Sequence, residues 1–153
     1  MPEANSEASV KALRLENDRL KSDLQYFEKQ YRLLEAFINS APFVVYIKNA
    51  QREYAFFNPF RRRQLGLKPD DILWHTDLDL VGTHWGFLAH EQDGKVLATR
   101  EAIEALECAP GIDEGHRGWL VVRFPFDGPD GKPRIGVVGL NTSEQFPPAK
   151  DLP

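Results

Sequence analysis

Between Val10 and Ile38 the apolar side chains return every seven residues, and no other feature of the chain restricts its fold as much. Val10, Asn17, Leu24, Tyr31 and Ile38 hold one position of the repeat, and Leu13, Leu20, Phe27 and Leu34 hold the other. Alternating steps of three and four place both sets on one narrow seam of a helix, as the a and d sites of a coiled coil. No proline or glycine interrupts the stretch. A helix with so thin an apolar stripe needs something to bury it. Either a second copy covers the seam, or the helix folds back on its own domain. Asn17 favours the copy, because a lone amide at an a site is best tolerated facing its equivalent, where it fixes register and two parallel strands. The flanking charges agree in part: Glu16 would face Lys21 of the other chain, while Asp23 would meet Glu28. Residues 9–39 are therefore expected to be a dimerising helix, with Val10, Leu13, Asn17, Leu20, Leu24, Phe27, Tyr31 and Leu34 at a homodimer interface. Residues 1–8, polar and acidic, are expected to be disordered.

Ser40-Ala41-Pro42 ends the helix, since proline moves its predecessor out of the helical region and cannot continue the hydrogen-bond ladder. About 100 residues remain, enough for one core. Phe43–Lys48 and Tyr54–Phe57 read as two strands of a hairpin across a polar turn. Asn58 and Pro59 then supply a cap and a fixed first turn, with Gly66 placed to close a short helix. Pro69 starts another short piece, and Thr76-Asp77 a third. A longer helix from about Thr83 holds Trp85 and Leu88 and runs towards Val96 and Leu97, with Gly94 weakening its middle. Three strands follow, at Ala102–Cys108, Trp119–Phe126 and Ile135–Leu140, the last two joined through Asp127-Gly128-Pro129-Asp130-Gly131-Lys132-Pro133. Residues 145–153 are expected to be a flexible tail.

This order resembles a PAS domain. The residues that carry the resemblance are Ser40-Ala41-Pro42-Phe43-Val44-Val45-Tyr46-Ile47-Lys48, Tyr54 with Asn58-Pro59, Leu65-Gly66-Leu67, Trp119–Pro125, Gly131-Lys132-Pro133 and Gly136-Val137-Val138-Gly139. The resemblance implies an α+β fold over residues 40–144, a PAS-like five-stranded antiparallel sheet with helices on one face, and a small molecule or cofactor between the sheet and the long helix. It further implies regulation of a signalling effector such as a histidine kinase of a two-component system, a cyclase or a transcription regulator, none of which is present in this chain. The first hairpin has Gln51 or Arg52 where such domains usually carry glycine.

If a pocket exists, Tyr46, Phe56, Phe57, Trp74, Trp85, Leu88, Trp119, Val121, Arg123 and Val138 are the candidate ligand-binding wall, each equally well explained by core packing. Period-two alternation puts Arg123 on the face of Trp119 and Val121, so its charge must find water or an anion, and a ligand carboxylate is one such anion. His84 and His90 on or near the long helix raise the alternative of a haem-binding gas or redox sensor, yet their spacing points them to different helix faces. The other alternative is a ligand-free dimerisation and protein-interaction domain. His75, Asp77, Asp79 and His84 are metal-ligand types, but their spacing matches no familiar zinc set, and the aspartates read more simply as helix caps and surface charges. Cys108, the sole cysteine, excludes an internal disulfide, lacks the surroundings of a flavin-reactive thiol, and has no cue to pair it with His116. No metal site and no cofactor can be named.

A formal net charge of -4 gives no field that attracts phosphate backbones or anionic lipid, so neither nucleic acid nor membrane is expected as a partner. Arg61-Arg62-Arg63 would splay around a helix as a solvated face. The N-terminus lacks a basic start and an apolar run, which fits a cytoplasmic protein. With no phosphate-cradling loop or nucleophile elbow, the expected class is a sensor and not an enzyme.

Overall fold

The computed structural model describes residues 2–110 and 116–142. They divide into two units, Met1–Ser40 and Ala41–Pro153. The expected tail at residues 145–153 lies outside the described residues.

The first unit is one helix, α1 (Pro2–Ser40). Its helical backbone runs from Pro2 to Ser40. The helix ends where Pro42 requires. Along the expected seam Leu13, Leu20, Leu24, Phe27, Tyr31 and Leu34 are 59% to 66% exposed.

The second unit holds β1 (Val44–Lys48), β2 (Tyr54–Phe57), α2 (Pro59–Leu65), α3 (Pro69–Ile72), α4 (Asp77–Leu80), α5 (Thr83–Thr99), β3 (Ile103–Pro110), β4 (His116–Asp127) and β5 (Pro133–Asn141). The strands form one antiparallel sheet in the order β2-β1-β5-β4-β3. This is the α+β arrangement the sequence predicts. The later strands are longer than expected, because the ladder between β3 and β4 continues to the pairing of Pro110 with His116.

Local chemistry fixes the turns. Asn49 folds its side chain over the first hairpin and accepts hydrogen bonds from the backbone N–H groups of Gln51 and Glu53, both at 3.0 Å. Arg52 takes the left-handed φ of 66° where a glycine would be easier. Its guanidinium donates to the His90 carbonyl on α5 at 3.3 Å, which ties the hairpin to the long helix and offsets the strained backbone. Asn58 is fully buried. It caps α2 by accepting from Arg61 N–H, accepts from Val45 N–H, and donates to the Phe43 carbonyl, so one side chain starts a helix and clamps it to β1. Gly66 closes α2 at a φ of 68°.

The helices cover one sheet face, and the core between them contains Val44, Tyr46, Tyr54, Ile72, Val96, Trp119, Val121, Ile135 and Val137. Helix α5 lies tightly against α4: a Cβ on Gly86 would sit 2.6 Å from the Asp77 carbonyl oxygen. The Gly86→Ala variant should therefore lose about 1–3 kcal/mol, read as a lower denaturation midpoint. In contrast, a Cβ on Gly94 meets only the far end of the Arg52 side chain, at 3.1 Å, so Gly94→Ala should be near neutral, its gain of up to about 1 kcal/mol in helix propensity set against a small shift of the Arg52–His90 hydrogen bond.

Candidate functional site

Strand alternation sends Val44, Tyr46 and Lys48 of β1, Trp119, Val121 and Arg123 of β4, and Ile135, Val137 and Gly139 of β5 to the helix-covered face. Two of these are cations, and both are buried: Lys48 is 0% and Arg123 1% exposed. A bare charge cannot stay there, so each must meet a carboxylate.

Lys48 Nζ donates to a carboxylate oxygen of Asp77 on α4 and to Asp93 Oδ2 on α5 at 2.5 Å. It also lies over the rings of Tyr54 and Tyr46, at 5.0 and 5.4 Å. The other oxygen of Asp93 accepts from Arg123 Nε at 3.2 Å. The rest of the Arg123 guanidinium donates to Gln92 Oε1 at 2.8 Å and to both oxygens of Glu107 on β3. At the opposite end Asp77 Oδ1 accepts from the Tyr54 hydroxyl at 2.6 Å and stands 3.6 Å from the Arg61 guanidinium, which itself donates to the Tyr54 oxygen at 2.5 Å. Read along the line, Arg61, Asp77, Lys48, Asp93, Arg123 and Glu107 alternate in sign.

Protonation follows this arrangement. Burial works against the Lys48 ammonium, but Asp77, Tyr46 and Asp93 outweigh it and its pKa rises. Burial would raise the Asp77 carboxyl, and Lys48 and Arg61 reverse that and hold it below the usual aspartate range. For Asp93 burial wins, helped by the charge of Asp77, and its pKa lies above the ordinary value. The Tyr54 phenol is pushed well up by burial, and Tyr46 is raised for the same reason.

Beside this line the core is open. A cavity of about 330 Å³ lies between the sheet and helices α2, α4 and α5. Its wall includes Val44 and Tyr46 of β1, Arg61 and Gln64 of α2, Trp85, Leu88, Ala89 and Gln92 of α5, Glu107 of β3, and Trp119, Val121 and Arg123 of β4. Gly139 lacks a side chain in the middle of this wall, and an added Cβ would come within 3.3 Å of Val44. Two buried donors in wall residues, Trp119 Nε1 and Arg61 Nε, have no hydrogen-bond partner among the described residues.

Of the candidate ligand-binding residues, the fold brings Tyr46, Trp85, Leu88, Trp119, Val121 and Arg123 to the cavity. The other four stand apart from it. Trp74 is 64% exposed at a backbone φ of 64°. Phe56 pairs with Ile47 on the outer sheet face, Phe57 packs against the core, and Val138 is one strand position out of phase with the lining residues Val137 and Gly139. The anion that Arg123 was expected to seek in a ligand is supplied by Glu107 and Asp93 of the chain itself. Asp77, expected as a surface cap, is 2% exposed, and the helix start is served by Thr76 and Asp79. Arg61, expected on a solvated face with its neighbours, turns inward over the Tyr46 ring at 5.0 Å, whereas Arg62 and Arg63 are exposed. Gln64, Ala89, Gln92 and Glu107 were missed, since nothing in their local sequence separates them from surface positions.

Haem does not fit this site: the lining contains no histidine or cysteine among the described residues, His84 is exposed beside Trp85, and His90 offers its backbone carbonyl to Arg52. The side chains of Cys108 and His116 lie outside the described ones. No helix among the described residues is long and apolar enough to cross a membrane.

The family model for the PAS fold matches residues 38–143. The chain belongs to the PAS fold family. No curated protein matches it. Among solved structures, a phage VqmA in complex with DPO is similar at a TM-score of 0.61 and 21% identity, over 77% of this chain and 55% of that one. VqmA of Vibrio cholerae in a ligand and DNA complex gives 0.64 and 18%, over 76% and 51%. The PAS domain of an HTR-like protein from Haloarcula marismortui gives 0.57 and 16%, over 79% and 98%. This PAS chain thus spans about half the length of the VqmA structures.

Two outcomes are expected for the buried line. Asp77→Ala leaves Lys48 and Arg61 without their shared carboxylate and should cost about 3–5 kcal/mol in denaturant titration. Tyr46, Tyr54 and Lys48 all hold their protons more tightly in the fold than in the unfolded chain. Their contribution is complete below pH about 10 and is lost as pH rises beyond it, so the thermal midpoint should drop on the alkaline side above that value.

Proposed function

We propose that this chain is a cytoplasmic, non-catalytic sensory module that binds a small molecule in the cavity beside Trp119 and passes the change to a signalling effector. The observation that carries the reading is the cavity. Protein interiors pack closely, and about 330 Å³ of open space in the core of a domain this size is the scale of a small-ligand site. Its wall combines apolar side chains with a few polar groups held rigidly by the ion-pair line. The likeness to VqmA structures whose names include DPO or a ligand supports the same reading.

Dimerisation through α1 belongs to the proposal. The exposed seam from Val10 to Leu34, with Asn17 within it, matches a second parallel copy of itself, and a helix pair with two packings is a suitable output element. DNA contact by VqmA is a property of that protein. With a net charge of -4, this chain is assigned no nucleic-acid surface of its own, and an effector such as a kinase, cyclase or transcription regulator would carry the output.

Native mass spectrometry of the full chain tests both parts. Dimers should be observed, each subunit carrying a bound small mass or acquiring one from a metabolite extract. Ala89→Trp, which fills the cavity from α5, should abolish that added mass and leave the dimer intact. Removal of residues 1–38 should give monomers that still bind. A wild-type chain that never carries added mass favours a ligand-free dimerisation domain instead.

A further inference from the structure

The charges of the wall decide what kind of molecule the cavity accepts. Arg61 and Arg123 bring two positive charges to the wall and Asp77 and Glu107 two negative ones, while Lys48 and Asp93, outside the lining, pair with one another, and every one of these charges stands within 4 Å of an opposite partner. The sum is zero: Arg123 already has a carboxylate gripping both ends of its fork, and Arg61, the less buried of the two lining cations, stands 3.6 Å from the Asp77 carboxylate. A charged ligand would enter a low-dielectric space with no free counter-charge, and would have to break one of these buried pairs to gain one. The hydrogen-bonding capacity left over is of a different kind. Trp119 Nε1 and Arg61 Nε are donors, buried and without partners among the described residues, while Gln64 and Gln92 already give their side-chain oxygens to Arg61 and Arg123, and Val44, Leu88 and Val121 are among the apolar wall residues.

We infer that the ligand is an uncharged, largely apolar small molecule that presents hydrogen-bond acceptors to Trp119 Nε1 and Arg61 Nε, and that carboxylates and phosphates are excluded. This rests on the reading of the cavity as a small-molecule site and adds the chemical class. Both donor atoms are covered by neighbouring side chains, so engagement includes a small rotation of the indole or the guanidinium towards the ligand. Each donor then gains a partner that the chain itself does not give it, which favours acceptor-bearing ligands over plain hydrocarbons of equal size.

Isosteric probe pairs of equal shape and different charge test the class: benzamide with benzoate, and nicotinamide with nicotinate. The full chain, labelled with nitrogen-15, reports through its three tryptophan side-chain N–H signals, Trp119 being identified by Trp119→Phe. The carboxamides should move the Trp119 signal saturably and bind at least about tenfold more tightly than the carboxylates. Arg61→Lys, which keeps the charge and removes the Nε donor, should weaken carboxamide binding by about tenfold. Carboxylates that bind as tightly as their amides, or a natively retained molecule bearing a carboxylate or phosphate, would overturn the class and leave the sensor reading in place. Carboxamide binding that neither moves the Trp119 signal nor responds to both substitutions would overturn the donor assignment. If neither probe type perturbs the cavity and native spectra show no retained mass, the sensor reading falls and the class with it.

Discussion

The ammonium of Lys48 is the point on which the domain turns. Its strand position faces the core, so the chain either brings carboxylates to it or does not fold with this register. Asp77 comes from α4 and Asp93 from α5, elements separated in sequence from β1 and from one another, and both close on the same nitrogen. A hydrophobic residue at the same place could be as stable or more so, because buried ion pairs recover little beyond their own desolvation. What the pairs supply is uniqueness: with the cation fixed, neither helix can slide by a turn without stranding a charge.

That fixity explains why open volume can persist next to the pairs. Arg123 and Lys48 cannot collapse into the space, since each is pinned by two acidic side chains on different elements. Tyr54 and Arg61 brace the other end: Arg61 donates to the Tyr54 hydroxyl oxygen, Tyr54 donates to Asp77, and Arg61 faces the same carboxylate as an ion pair. An apolar core with the same outline would be free to repack and fill the void, as cores do where nothing holds them apart.

Much of the fold was legible in the sequence because its signals are local. Asn58-Pro59 and Gly66 bound α2 through cap and turn geometry that involves neighbouring residues, and the strands follow from alternation and from the turn-forming residues between them. The inward direction of Arg123 was legible by the same period of two. Its partner was not. Glu107 sits on β3, and the partnership depends on a pairing register that places Glu107 opposite Trp119, a fact set by tertiary structure. Asp77 and Arg61 were misread for a related reason: a short helix with a good cap looks like a surface element, and only the packing of β1 beneath it shows which side is dry. Trp74 failed in the other direction, as a large apolar residue that the left-handed backbone at its position turns outward to solvent.

The absent side chain at Gly86 lets α5 pack directly on the backbone of α4. The helix surface there lies against the backbone of Asp77, whose carboxylate holds Lys48 of β1, and the neighbouring Trp85 and Leu88 line the cavity. Through Gly86 the cavity-lining Trp85 is one close contact away from the residue that anchors the first strand of the sheet.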